Sequence, residues 1–169
     1  MINAENPVGT QNEPGPSEPV KIILAEDDKD DQEFFRDALD AAQVPNEVVT
    51  VENGQQLIDM LKDEDEPNPD IIFIDINMPV KNGKQALAEI RKEKDLRDIP
   101  AVMLTTSGQP DDIEESFKTG ANLYIQKPNS FSGFVLILKK VFTLHWTKVL
   151  MDPLKNIFFL SEKDISPKD

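Results

Sequence analysis

The sequence contains no cysteine in 169 residues, which excludes both disulfides and thiolate metal sites. This composition is typical of a reducing compartment, and we expect a cytoplasmic protein. It also has no apolar run near the roughly 18 residues that a membrane-spanning helix needs. Residues 1–19 lack the basic-then-apolar order of a signal peptide. We therefore expect no membrane association.

Basic side chains are also scarce. The chain has 18 Lys and Arg against 32 Asp and Glu, which gives a formal net charge of −14. A nucleic-acid-binding domain needs a basic patch to neutralise phosphates, so we expect no nucleic-acid partner. The length is sufficient for one domain that folds unaided, with tails.

The composition divides the chain into three parts. Residues 1–19 contain four prolines and few large apolar side chains, which predicts a disordered tail. Residues 20–147 carry regular patterning and form the predicted domain. Residues 148–169 form a C-terminal extension whose apolar segments, 149–151 and 157–160, need to be covered. The extension packs either on its own domain or on a partner subunit, in a homodimer formed through the last helix and the extension.

The predicted domain repeats a strand followed by a helix five times. The expected strands are 20–25, 47–51, 70–74, 100–104 and 123–126, and the expected helices are 31–42, 55–62, 84–92, 111–118 and 130–146. Three strand segments (22–25, 71–74 and 101–104) are apolar throughout, as expected for parallel strands that are covered on both faces. The pattern predicts a doubly wound α/β fold around a five-stranded parallel sheet.

Polar residues follow four of these strands. In an open α/β sheet, ligands bind outside the carboxyl ends of the strands, so these residues are expected to lie together. They are Glu26, Asp27 and Asp28 after the first strand, Asp75 and Asn77 after the third, Thr105, Thr106 and Ser107 after the fourth, and Lys127 and Pro128 after the fifth.

Clustered carboxylates repel one another unless a cation neutralises them. Oxygen ligands without nearby His or Cys favour a hard ion, here Mg²⁺ with Mn²⁺ as the alternative. Lys127 and the Thr105 hydroxyl suit a phosphoryl group placed opposite the acids. A carboxylate is a competent nucleophile towards phosphorus, and Asp75, at the end of the middle apolar strand, is the best candidate.

Each feature alone also has a simpler interpretation. An acidic trio after a strand is typical of a helix N-terminus, and an isolated Asp is often a turn residue. A Thr-Thr-Ser stretch before a helix is often a cap. Tyr124 is also compatible with a half-buried strand position and a hydroxyl in water. The coincidence of these features at four strand ends favours one shared site.

Four motifs resemble the receiver domain of response regulators, the CheY-like superfamily, over about residues 20–147. The motifs are ILAEDD (23–28), IDINMPVKNG (74–83), VMLTTSG (102–108) and YIQKP (124–128). The resemblance implies a flavodoxin-like (βα)5 fold with strand order 2-1-3-4-5. The C-terminal extension resembles, more loosely, the phytochrome-partnered response regulators, which tend to dimerise.

The resemblance also implies a role for individual residues. Asp75 would be the phosphoacceptor, and Mg²⁺ would be bound by the Asp27 and Asp75 side chains, by Glu26 through water and by the Asn77 backbone carbonyl. Asp28 is the less direct member of the acidic trio. Thr105 and Lys127 would bind the phosphoryl group, and Thr105 and Tyr124 would be the switch residues. Asn77, Thr106 and Ser107 would tune the rate of hydrolysis. Gly83 would allow a turn into the third helix, and the Lys127–Pro128 bond would commonly be cis.

The implied function is two-component signal transduction without conventional enzyme activity. A sensor histidine kinase would phosphorylate Asp75, and the phosphorylated form would bind an unidentified protein target through the fourth helix, fifth strand and last helix. A phosphorelay carrier or phosphate sink would use the same chemistry. A magnesium-dependent phosphohydrolase of the haloacid-dehalogenase type is disfavoured, because it needs an Asp where this chain has Asn77.

Two features near the end of the chain also bear on function. The single histidine, His145, is expected to be a surface or interface residue, because the last helix would hold it away from the acids. The residues after Trp146 are too few for a DNA-binding output domain, so we expect output through protein contacts.

Overall fold

The computed structural model describes residues 18–143 and 159–165. Strands and helices alternate along the first of these segments, and the second adds one short strand and a 3-10 turn. The strands are β1 (Val20–Ala25), β2 (Asn46–Val51), β3 (Ile71–Ile74), β4 (Ala101–Thr105), β5 (Leu123–Gln126) and β6 (Phe159–Leu160). The helices are α1 (Lys29–Ala41), α2 (Gly54–Leu61), α3 (Gly83–Lys92), α4 (Pro110–Thr119) and α5 (Phe131–Thr143).

The sheet has the order β2-β1-β3-β4-β5-β6, and every pair of neighbouring strands is parallel. The predicted five-stranded α/β fold and its strand order are therefore confirmed. Strand and helix ends agree with the sequence prediction to within two residues wherever both are described. The predicted disordered tail and the end of the last helix, with His145, lie largely or wholly outside the described residues.

The sheet is covered on both faces, which explains why its central strand has no polar position. In β3, Ile72 and Ile74 belong to one core cluster with residues of α2 and α3, whereas Ile71 and Phe73 belong to a second cluster with residues of α1 and α5. All four side chains are fully buried. Burial of a large apolar side chain contributes about 1.5–3 kcal/mol, so this strand is a rigid base for the loop that follows it.

Asp28 ends the loop after β1 by capping α1. Its carboxylate accepts hydrogen bonds from the backbone N–H groups of Asp30 (2.8 Å) and Asp31 (3.1 Å). Before α4, by contrast, the alternative interpretation of the Thr-Thr-Ser stretch as a helix cap is wrong. The N-cap is Gln109, which makes no side-chain cap bond, and Pro110 occupies the first helical position.

The sixth strand was not predicted. Phe159 and Leu160 pair in parallel with Tyr124 and Ile125 at the outer edge of β5. The following 3-10 turn, Glu162–Asp164, places the Glu162 carboxylate where it accepts hydrogen bonds from the Ser130 hydroxyl and the Asn129 N–H. The described part of the C-terminal extension therefore packs on its own domain.

None of the helices within the described segments combines the length and the apolar character that a membrane crossing requires.

Candidate functional site

Three carboxylates meet at the carboxyl end of the sheet. One oxygen from each of Glu26, Asp27 and Asp75 lies within 4.8 Å of the others. The strand register brings the acids together, because Ala25 at the end of β1 lies beside Ile74 at the end of β3. Glu26 and Asp27 follow Ala25, and Asp75 follows Ile74. The Asp75 N–H donates to the Ala25 carbonyl (3.0 Å), which extends the ladder to the site itself.

The three acids differ in solvent exposure. Glu26 is only 2% exposed and Asp75 8%, whereas Asp27 faces solvent. Burial raises the pKa of Glu26 to about 7, although hydrogen bonds from Lys127 and the Asp28 N–H act in the opposite direction, and the Asp75 charge adds to the increase. A buried carboxyl that ionises near neutral pH is one that a cation would readily stabilise in its charged form.

Lys127 faces these acids from the end of β5. Its Nζ donates to Glu26 Oε2 (2.6 Å), to Asp31 Oδ2 (2.8 Å) and to Asp75 Oδ2 (3.1 Å). Burial acts to lower the pKa of Lys127, but the hydrogen bonds to Asp31 and Glu26 and the Asp75 charge outweigh it, so the pKa is raised. The side chain is a permanent cation in direct contact with Asp75.

Thr105 and Tyr124 both form hydrogen bonds with the backbone of Ser107. Both are fully buried. The Thr105 hydroxyl accepts from the Ser107 N–H at 3.4 Å, and the Tyr124 hydroxyl donates to the Ser107 carbonyl at 2.9 Å. The half-buried interpretation of Tyr124, with its hydroxyl in water, is therefore wrong. The Thr105 and Tyr124 hydroxyls thus bind the two backbone groups of the same residue, Ser107.

The candidate tuning residues occupy the rim of the site. Asn77 and Thr106 are exposed, and the Asn77 N–H donates to Asp75 Oδ1 at 3.1 Å. Ser107 differs from them, because its hydroxyl bonds the Asp112 carboxylate on α4 and not the acid cluster. Asp28 also lies outside the cluster, since its carboxylate caps α1.

The expectation of a cis Lys127–Pro128 bond is wrong, because there is no cis peptide bond among the residues described. The trans chain continues the β4–β5 pairing by one residue, with the Lys127 N–H donating to the Thr105 carbonyl at 2.7 Å. This path already brings the ammonium group to Asp75.

Sequence reasoning missed two residues of α1. Asp31 binds Lys127, and Gln32, which is 3% exposed, donates from Nε2 to the Glu26 carbonyl at 2.6 Å. Gln32 lies on the buried face of α1 with Phe35 and Leu39. A polar residue at helical spacing on an apolar face was the signal in the sequence. Asp31 carried no comparable signal, because it stands in a run of acids.

The sequence matches the family described as the response regulator receiver domain over residues 22–139. The chain belongs to this family. It is a receiver domain of two-component signalling, and proteins of this class are signalling proteins that bind a divalent metal ion and depend on a phosphodonor kinase.

Similar proteins include the response regulator Rcp1 of Synechocystis sp. (strain ATCC 27184 / PCC 6803 / Kazusa). It is 35% identical over 127 residues, which cover 73% of this chain and 86% of Rcp1. The structure of the phosphorylated cyanobacterial phytochrome response regulator RcpA has 35% identity and a TM-score of 0.68, covering 81% of this chain and 97% of RcpA. The Mn²⁺-bound structure of Rcp1 has 31% identity and a TM-score of 0.66, covering 73% and 91%.

Proposed function

We propose that Asp75 is the phosphoacceptor of a magnesium-dependent signalling switch. The observation that carries this proposal is the position of the Asp75 carboxylate, which contacts the Lys127 ammonium group and also belongs to the cluster with Glu26 and Asp27. A carboxylate placed between a fixed cation and a set of metal-ligating oxygens is suited to accept a phosphoryl group.

The chemical step is an in-line displacement at phosphorus. An Asp75 oxygen forms the new O–P bond while the P–N bond of a phosphohistidine breaks, and the imidazole nitrogen keeps the electron pair of that bond. The described side chains contribute position and charge and need not exchange a proton with the substrate. Lys127 neutralises charge on the phosphoryl oxygens, and the Thr105 hydroxyl donates to one of them.

The acid cluster is suited to a hard divalent cation. Glu26, Asp31 and Asp75 share one ammonium group, and Asp27 lies beside Glu26 and Asp75, so the cluster holds more carboxylates than cations. Mg²⁺ would be bound by the side chains of Asp27 and Asp75, by Glu26 through water and by the Asn77 backbone carbonyl, and Mn²⁺ is an alternative. When bound, the ion would neutralise charge on the phosphoryl oxygens.

The conformational response begins at Thr105. The Thr105 hydroxyl oxygen accepts from the Ser107 N–H, which leaves its own O–H to donate to a phosphoryl oxygen. Movement of the hydroxyl towards that oxygen would weaken the 3.4 Å contact with Ser107, which also binds the Tyr124 hydroxyl and Asp112 of α4. Phosphorylation therefore biases the loop before α4 and the surface formed by α4, β5 and α5, where a protein target binds. Asn77 and Thr106 at the rim, with Ser107, tune the lifetime of the phosphorylated state.

The proposed phosphodonor is a sensor histidine kinase of the phytochrome class, because a similar structure is that of a phytochrome response regulator. The chain would act in the cytoplasm, with an N-terminal tail (1–19), a receiver domain (20–147) and an extension (148–169) that also supports a homodimer with α5. It would have no nucleic-acid partner, membrane contact or conventional enzyme activity. Asn77 supports the last point, because a phosphohydrolase of the haloacid-dehalogenase type needs an acid there.

The direct test is phosphorylation of the full chain by acetyl phosphate and Mg²⁺, followed by mass spectrometry. We expect one phosphoryl group on the wild type and none on Asp75→Asn. Asp70→Asn is the matched control, because Asp70 precedes the same strand at the opposite end of the sheet and binds the Lys21 N–H. Stoichiometric labelling of Asp75→Asn would contradict the assignment. Loss of labelling in a chelator tests the metal requirement.

A further inference from the structure

Lys127 has no hydrogen-bond donor left for a phosphoryl group. An ammonium group has three N–H donors, and Glu26, Asp31 and Asp75 accept one each, at 2.6, 2.8 and 3.1 Å. The Lys127 side chain is 15% exposed, so water offers it little alternative. A phosphoryl oxygen can therefore bind Lys127 only if one of the three acceptors leaves.

We propose that Asp31 is the acceptor that leaves, a positioning residue that holds Lys127 beforehand and competes with the incoming phosphodonor. The proposal rests on the proposed function of Asp75. It assigns to α1 a part in setting the rate of phosphorylation, separate from the residues at the strand ends.

The three acceptors differ in how easily they can be released. The Glu26 side chain is 3% exposed, so little water is available to replace the Lys127 N–H at its carboxylate. Asp75 is the reacting group and stays at the site. The Asp31 side chain is 45% exposed and lies in the first turn of α1, where water and the helix N-terminus stabilise a free carboxylate. Release of Asp31 is therefore the least costly.

The surroundings of Asp31 also favour competition with a donor. An open cleft of about 380 Å³ lies beside Lys127 and is lined by Asp31, Phe34, Phe134 and Pro128, among others. An anionic phosphodonor that approaches Lys127 through this cleft meets the Asp31 carboxylate. The two negative groups would compete for the same ammonium group.

The test compares phosphorylation rates of the full chain over a range of acetyl phosphate concentrations at fixed Mg²⁺. We expect Asp31→Asn to lower the half-saturating concentration about fivefold, the size of effect expected for a partly exposed ion pair. The maximal rate should change by less than about twofold, because the competition concerns donor binding. An unchanged or higher half-saturating concentration would overturn the proposal.

Two further variants separate this role from a general effect of charge. Asp30→Asn removes the same charge from the same helical turn and from the lining of the same cleft, but Asp30 is not one of the three acceptors of Lys127. We therefore expect a half-saturating concentration close to that of the wild type. Asp31→Glu keeps the carboxylate and should restore wild-type behaviour. Equal effects of Asp30→Asn and Asp31→Asn, or no rescue by Asp31→Glu, would refute the pairing.

The wild type distinguishes failure of this inference from failure of the proposed function. A wild-type chain that takes no phosphoryl group at Asp75 contradicts the proposed function itself. A wild type that is labelled normally, with Asp31→Asn indistinguishable from it, contradicts only the role of Asp31.

Discussion

Gly83 lies directly against the backbone of Asp75. A Cβ atom added to Gly83 would be 2.1 Å from the Asp75 carbonyl oxygen, and the Gly83 N–H donates to the neighbouring Ile76 carbonyl at 2.9 Å. The start of α3 and the strand end that carries the proposed phosphoacceptor are therefore in contact. Only a residue without a side chain allows this close approach.

Gly83→Ala should lower both the stability and the phosphorylation of the domain. The clash is with backbone, so α3 or the Asp75 loop must shift, and we expect a loss of about 2–3 kcal/mol in unfolding free energy. Urea denaturation and acetyl phosphate labelling measure the two effects. In Gly108→Ala, the matched control, the added Cβ meets only the flexible Gln126 side chain, and the loss should be below about 1 kcal/mol. Equal losses in both variants would contradict the explanation.

Val80→Asn should stabilise the protein. The Lys81 N–H donates to the Pro79 carbonyl at 2.8 Å, which closes a tight turn with Val80 at its centre, at a φ of 66°. A β-branched residue is strained at a positive φ, where Asn is several-fold more common, and Val80 is 84% exposed and buries little apolar surface. We expect a gain of about 1 kcal/mol by urea denaturation. The same change at Val49, in the extended strand β2, should be destabilising, and a gain there would count against backbone strain as the cause.

Stability without metal should depend on pH through Glu26. Its pKa in the folded state is raised from 4.5 to about 7, chiefly by burial, so the folded protein holds this proton more tightly than the unfolded chain does. The resulting stability is complete below the unfolded value and is lost as the pH rises through the folded value. In a chelator, the wild type should lose roughly 1–3 kcal/mol relative to Glu26→Gln between about pH 5 and pH 8. Parallel pH profiles of urea stability would contradict this expectation.

Phe159→Ala should alter the environment of Tyr124. The two rings pack with centroids 6.0 Å apart and an interplanar angle of 39°. Tyr124 is the only tyrosine in the sequence, so incorporation of 3-fluorotyrosine gives a single ¹⁹F resonance that reports on this ring. We expect this resonance to shift in Phe159→Ala and to stay in place in Lys163→Ala, which changes an exposed residue of the same segment. An unchanged resonance in Phe159→Ala would show that the packing does not affect the ring.

The sequence was sufficient to predict the sheet and the position of the site. Strands that are buried on both faces are apolar throughout, and the polar residues that follow them mark the edge where ligands bind. The parallel α/β fold and the convergence of Glu26, Asp27 and Asp75 follow from these local signals, whereas the strand order came from the motifs' resemblance to receiver domains. Each signal lies within a few residues of a strand.

Other features depend on contacts that no local pattern encodes. The bond between Asp31 and Lys127 joins residues 96 positions apart, and the run of acids in which Asp31 stands also satisfies a helix N-terminus. The pairing of β6 with β5 joins Phe159 to Tyr124 through two residues only, too few to produce a strand pattern. Both features required the folded chain.

The position of β6 has a consequence for self-association. Without it, β5 would present the free N–H and C=O groups of an edge strand, which can template pairing with another chain. Phe159 and Leu160 occupy that edge beside Tyr124 and Ile125. A ligand that binds the domain by strand addition at β5 must first displace these two residues. For the same reason, β6 reduces unspecific edge-to-edge aggregation at β5.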